Sequence, residues 1–568
     1  YDKAIELYVP LYQLTQNKFY YQMIYDSYVA SANFKEAQRL VERRMKQWPS
    51  ELFLYVDLAQ LQLKTGEKKK AEKSFVAPIE KLGFDNQQLT DLVQAYQNAG
   101  RIDMAVQAYL ALRTKSRSQT AYVMELATLY QRMGDYEAMT NEYFSLLDAA
   151  PGNMGSIQIS LQKALNETTN PQLAQGLKRT IMGRIQKDPS NRHYLEMMIW
   201  FSLQQSDFQF ALKQARSIDM RFPTEGEEQV FRVACIARSN GDYATALEAF
   251  RYLTKKGETC NYYFDSRVGE MQTRFDQLNT GYRMPKASVA ALKSEYDAIF
   301  AELGKNERTV QLMRDCAHLL AYQADDVEGA ADMLYDVLEL PKLPASTRDE
   351  VKLELGDLLL FAGSTWDASL QYSQVEKANR NDLIGAQAKF RNAKLAYFTH
   401  DFVWAKSQLD VLRASTSKLI ANDAMQLSLL ISDNMEVDST FDMLELYAAA
   451  DLHLYRNQLD EAWAGFASVA AHVLSHPLLD EVLLQQARIR IRQERYVEAD
   501  SLLQKLIDFY PNDILADDAL LLQAQINEDK LNNPSRAQAC YERILIDYPA
   551  SLYVDRARRR YNELRKAR

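Results

Sequence analysis

The residues best placed to do chemistry are few. His472 and His476 stand four apart, so on a helix they share a face at the spacing of two metal ligands. A metal would need a third ligand. Asp480 lies beyond Pro477, His453 lies well upstream, and no H-E-x-x-H occurs, so the pair reads as helix-end histidines and no metal or other cofactor is expected. The 18 methionines are scattered along amphipathic stretches, where a flexible thioether fills gaps in a core. Cys235, Cys260, Cys316 and Cys540 form no C-x-x-C and read as small buried residues, with a Cys235–Cys260 bridge left open. No G-x-S-x-G, P-loop or dinucleotide glycine motif is present. Serine, histidine and aspartate can still meet across a fold. Open arrays of helices, however, lack the closed pocket that dehydrates such chemistry. No catalytic residue is assigned, and the chain is expected not to be an enzyme.

The elements that carry these side chains announce themselves by period. Ala32, Gly66, Gly100 and Gly134 fall at intervals of 34. Five residues after each come Ala37, Ala71, Ala105 and Met139; four further on come Val41, Phe75, Tyr109 and Tyr143. Eight before each marker lies Ile24, Leu58, Leu92 or Leu126, and Pro49 and Pro151 close the first and fourth units at the same offset. Each unit reads as two helices and a tight turn. Leu89, Leu92, Val93 and Tyr96 make one apolar stripe, Asn98-Ala99-Gly100 breaks it, and Ile102, Ala105, Val106 and Tyr109 begin another. Glycine relaxes the backbone where the chain reverses. The small alanine lets two helices approach closely, and proline ends the second helix because it has no N–H to extend the ladder.

A period of 34 with these residue types resembles the tetratricopeptide repeat. The resemblance implies an all-α chain, a right-handed α-α superhelical solenoid of helix pairs. Units 18–51, 52–85, 86–119 and 120–153 are in strict register inside an N-terminal array, 1–254, whose later units are degenerate. The chain starts mid-repeat: Ala4, Tyr8 and Leu11 look like a second helix without its first, so an upstream segment is expected, with Tyr1 packed against unit 18–51. Residues 255–310 break the pattern with Lys255-Lys256-Gly257 and Gly281 to Pro285, and long helices are predicted over 261–278 and 286–303. A C-terminal array, 311–568, follows. Its Leu355-Gly356 pair matches the family's first-helix signature, and Gly363, Ala368 and Tyr372 complete that unit. An extra helix is predicted over 418–435, ended by Asp433-Asn434, with Asp438-Ser439-Thr440 capping the next one. A capping helix is predicted over 551–565.

Residues 480–565 carry a second resemblance. Second helices end in Asp-Phe-Tyr-Pro at Pro511 and Asp-Tyr-Pro at Pro549, as in tetratricopeptide proteins of Gram-negative cell envelopes, including lipoproteins of outer-membrane protein assembly. This implies a scaffold in the periplasm, a subunit or accessory of an outer-membrane assembly or secretion complex, associated with the membrane through a lipid anchor in a leader upstream of Tyr1; the alternative is a cytoplasmic peptide-binding regulatory or chaperone-adaptor module.

Composition narrows the partner. The net charge of −9 argues against nucleic acid, and no apolar run approaches the ~20 residues of a membrane span. With 33 Tyr, 19 Gly and 14 Pro, the chain suits helices with few long loops. In this family the first helices line a concave groove. Carried over by position, it holds Phe19, Gln22, Asp26, Phe53, Val56, Gln60, Thr90, Gln94, Met124 and Thr128. Where a carboxylate-clamping subfamily has asparagine, this chain has Asp26, Gln60, Gln94 and Thr128, so that clamp is expected to be absent. Apolar and amide side chains suit an extended segment or a helix of a protein partner. Arg556, Arg558, Arg559 and Arg560 read first as the polar outer face of a terminal repeat, and second as a contact for an anionic partner or lipid headgroup.

Overall fold

A computed structural model describes residues 1–167, 171–279, 284–415, 418–437, 441–472 and 478–566. Thirty-one α-helices and no strand occur among them. They form two compact units, Tyr1–Tyr263 and Phe264–Arg568, whose boundary falls inside the segment 255–310.

The first unit opens with helix Asp2–Thr15. Tyr8, Val9 and Tyr12 pack it on the next pair, whereas Tyr1 stands outside its first turn and is 72% exposed. The expected packing of Tyr1 is therefore not found, because the contacting stripe begins at Tyr8. Four pairs follow: Lys18–Ala30 with Phe34–Gln47, Phe53–Lys64 with Lys68–Lys81, Asn86–Asn98 with Ile102–Ser116, and Val123–Met133 with Tyr136–Ala149. Ala32, Gly66, Gly100 and Gly134 link the helices of each pair with positive φ. Ala37, Ala71, Ala105 and Met139, five residues on, are fully buried. A left-handed link followed by a buried contact, a small alanine in three of the four pairs, thus fixes how closely those pairs close. The degenerate region holds helices Met154–Glu167 and Pro171–Lys187, after which two pairs end the unit: Arg192–Gln204 with Phe208–Arg221, and Pro223–Ser239 with Tyr243–Thr254.

The second unit holds the long helix Tyr263–Leu278 from its second residue on and the long helix Lys286–Leu303, then Val310–Gln323 with Val327–Leu338, Ala345–Ala362 with Thr365–Ala378, and Leu383–Phe398 with Phe402–Ser415. Helix Lys418–Val437 comes next, followed by Asp442–Tyr455 with Leu459–His472, Leu479–Arg492 with Tyr496–Phe509, Ala516–Asp529 with Pro534–Asp547, and the last helix Val554–Lys566. The extra helix runs through Asp433-Asn434 to Val437 instead of ending there. Asn434 is buried and its Nδ2 donates to the Leu430 carbonyl at 2.7 Å, a bond back along the helix that lets the helix continue through it, while its Oδ1 has no partner among the described residues. The cap expected at residues 438–440, and most of the turn before Pro285, lie outside the described residues.

The same link recurs where the sequence does not advertise it. Ser206, Asp325, His400, Asn457, Glu494 and Asn532 all have positive φ, and Ala211, Ala330, Ala405, Ala462, Ala499 and Ala537, five residues on, are fully buried. Asp207 and Asp326, next to the link, accept from the N–H three residues on and so cap the second helix. At Gly356 a Cβ would stand 2.5 Å from Tyr372 Cε1, so glycine is what admits that ring between the helices. All four cysteines are free thiols, so the open Cys235–Cys260 pairing does not form.

Candidate protein-binding faces

The first helices present the predicted residues unevenly. Phe19 is 57% exposed and Met124 40%; Asp26, Thr90, Gln94 and Thr128 are exposed, and Gln22 and Gln60 partly so. Phe53 and Val56 are 4% and 1% exposed and cannot meet a partner. The reason lies outside their own repeat. Lys18 Nζ stands 4.3 Å above the Phe53 ring and pairs with Asp91 at 2.8 Å, on the first helix two repeats along. Tyr21 closes the ring edge-on at 6.1 Å, and Val56 joins the core shared with Leu89 and Leu92. A cation thus bridges the face and shuts it over Phe53.

Several polar groups of this face are already engaged. Gln22 donates to Asp26 at 3.1 Å and Gln94 to Asn98 at 2.8 Å; the Thr90 and Thr128 hydroxyls bond back to their own helices. Beneath them, Tyr21 donates to the buried Asp57 carboxylate at 2.8 Å, and Tyr25 to the Asp57 carbonyl at 3.0 Å. Burial pushes the Asp57 carboxyl up to about 7, against the pull of the Tyr21 hydrogen bond.

The second unit has open clefts that position-by-position reasoning missed. Between helices Leu479–Arg492 and Ala516–Asp529 lies a cleft of about 260 Å³. Leu484, Ile491, Leu521 and Leu522 give it apolar walls, and Arg488, Arg492, Asp518 and Gln525 ring it. Asp518 is held by the Tyr553 hydroxyl, Arg492 donates to the Leu454 carbonyl at 2.8 Å, and Arg556 faces the Gln525 amide. A second cleft, of about 220 Å³, is lined by Phe275, His318, Tyr322, Arg314 and Glu354 among others. His318 meets Phe275 edge-on at 5.9 Å, and burial lowers its imidazole below the usual histidine value. The signal for both was present as apolar residues on first helices, but only packing shows which stay open.

Of the last helix, Arg560 pairs with Glu528 and Glu563, and Arg558 approaches Asp555 at 3.8 Å; Arg556 and Arg559 are exposed. No helix among the described residues is long and apolar enough to cross a membrane, and no group of three His, Cys, Asp or Glu there has metal-binding geometry. His476 and the side chain of His472 lie outside those residues.

Residues 481–513 and 518–551, the two repeats that frame the C-terminal cleft, match the tetratricopeptide repeat family model. No curated protein sequence matches the chain. Similar solved structures include Naa15/Naa10 bound to HypK-THB, at 13% identity over 96% of this chain and 95% of that one, with a TM-score of 0.26. Another is a tetratricopeptide repeat protein from Parabacteroides merdae, at 13% identity over 52% and 98%, with a TM-score of 0.29. Yeast Tom70 aligns at 15% identity over 85% and 98%, with a TM-score of 0.28. Residues 481–513 and 518–551 are thus tetratricopeptide repeats, and the described residues around them form an all-α array of helix pairs.

Proposed function

We propose that this chain is a non-enzymatic scaffold in a Gram-negative cell-envelope complex for outer-membrane assembly or secretion, placed in the periplasm at the outer membrane. The cleft between Leu479–Arg492 and Ala516–Asp529 carries the binding part of this reading. It is open, apolar at its walls and ringed by Arg488, Arg492 and Gln525, so it suits an extended segment or helix that offers an apolar side chain beside a hydrogen-bond acceptor. The exposed residues Phe19, Gln94 and Met124 supply a second, shallower track in the first unit. Support for the envelope comes from the Asp-Phe-Tyr-Pro and Asp-Tyr-Pro ends of the second helices at Pro511 and Pro549, which lie in the two matched repeats.

The test is purification of the full-length protein from its native cell, with mass spectrometry of what accompanies it. Replacing Arg488, Ile491 and Leu522 together with alanine is expected to lose a specific partner while helicity stays unchanged. Recovery of every partner at wild-type level would remove the cleft from the account. Fractionation decides the location: recovery of the full-length protein in the cytosolic fraction would favour the cytoplasmic adaptor.

A further inference from the structure

The strongest unassigned surface lies between two second helices of the second unit, away from the first-helix clefts. Helix Thr365–Ala378 carries Trp366, Leu370, Ser373 and Lys377 at steps of three and four, so they form one stripe, and Arg380 continues it past the helix end. All five are exposed; Trp366 is 89% exposed and Leu370 55%. Helix Phe402–Ser415 presents Val403, Trp404 and Val411, exposed by 66%, 42% and 52%. A gap of about 950 Å³ opens beside Ser373, Lys377 and Val411, with Leu383, Ala386 and Lys389 also lining it. Large apolar side chains clustered this way on a soluble surface mark an interaction site.

The charges say what fits. Lys377, Arg380 and Lys389 make no ion pair among the described residues. Glu376 is turned to the Asn392 amide at 3.5 Å, and Asp382 is exposed at the mouth. Three cations thus face two anions in the gap of a chain whose net charge is −9. We propose that this gap is a docking groove for an acidic amphipathic helix of a partner protein. Its apolar stripe packs on Leu383, Ala386 and Val411 in the gap and continues along the exposed Leu370 and Trp366 of the same helix as Lys377, and its carboxylates meet Lys377, Arg380 and Lys389. The 14-residue wall Thr365–Ala378 sets the length, about 21 Å at 1.5 Å per residue. Docking here leaves both first-helix clefts free, so one scaffold holds two partners at once.

The test uses the full chain and a labelled leucine/glutamate/glutamine helical peptide of about 14 residues, matched to that wall, read by fluorescence anisotropy. A lysine-for-glutamate version is the control. Wild type is expected to bind the acidic peptide saturably, more weakly as salt rises, and to bind the control poorly. The triple variant K377E/R380E/K389E should lose about tenfold in affinity for the acidic peptide and gain for the control. W366A/L370A should weaken binding while leaving its salt dependence in place, which separates packing from charge. Equal binding of both peptides by wild type, or equal binding of the acidic peptide by the charge-reversed chain, overturns the proposal. So does sedimentation with phosphatidylglycerol vesicles that requires the three cations while the peptide stays unbound, since the groove would then be a lipid contact.

Discussion

Asp57 is the residue with most to reveal about solution behaviour. Its carboxyl is buried, touched by Tyr21, near the charge of Asp26, and raised to about 7. A carboxyl raised on folding stabilises fully below its unfolded value of roughly 4 and loses that contribution as pH climbs through the folded value. The first unit should therefore melt at a lower temperature at about pH 8 than at about pH 5. Asp57→Asn keeps an acceptor for Tyr21 and removes the charge. It is expected to flatten that slope and raise the melting temperature on the alkaline side; calorimetry of both proteins across this range checks it, and a lower melting temperature for the variant at high pH would refute the burial argument. Glu494 offers a second case. It holds a left-handed link at φ 59 without glycine's freedom. Glu494→Gly should stabilise the C-terminal repeats by about 0.5–1 kcal/mol, read from denaturant midpoints, whereas Gly100→Ala should destabilise by a similar amount.

At the level of the helix pair, the alanine five residues after the link sets the approach of two helices. Ala105 is fully buried among Phe75, Leu92 and Tyr96 in one core. Ala105→Trp overpacks that contact and is expected to cost ~1–3 kcal/mol, seen as a lower thermal midpoint; an unchanged midpoint would show a looser contact than the structure has. The sequence made such pairs legible wherever glycine or a large aromatic marked them, and the break at Gly281 to Pro285 located the start of helix Lys286–Leu303. It did not reveal Ser206 or Glu494 as links, because a left-handed backbone leaves no mark on a residue type that seldom adopts it. Burial of Phe53 and Val56 was equally hidden. Their position in the repeat is that of a groove residue, and what covers Phe53 is Lys18, tied to a helix two repeats away. Local period carries no record of such a bridge. The C-terminal cleft was half visible: its repeats were recognised, but its openness depends on which neighbours fail to fill it.

Across the whole chain, cores divide at Tyr263 and Phe264, each side with its own buried clusters. Fragments 1–263 and 264–568 should each give a strongly helical circular dichroism spectrum and a cooperative melt. An unfolded fragment on either side would mean that its repeats need the other as a template. Within each part the stack is not uniform. Lys18 clasps Asp91 across two repeats of the first, and in the second the Arg456 guanidinium reaches the Leu360 carbonyl at 3.3 Å while Tyr455 reaches the Asp357 carbonyl at 3.3 Å. A stack of repeats is a spring, and these ties are coils fastened together. Under tension the turns clasped across two repeats resist extension until a tie breaks, while turns joined to their immediate neighbours, as Arg492 is to Leu454 at the C-terminal cleft, lengthen first. Force applied through a bound partner would then be taken up where that partner is held.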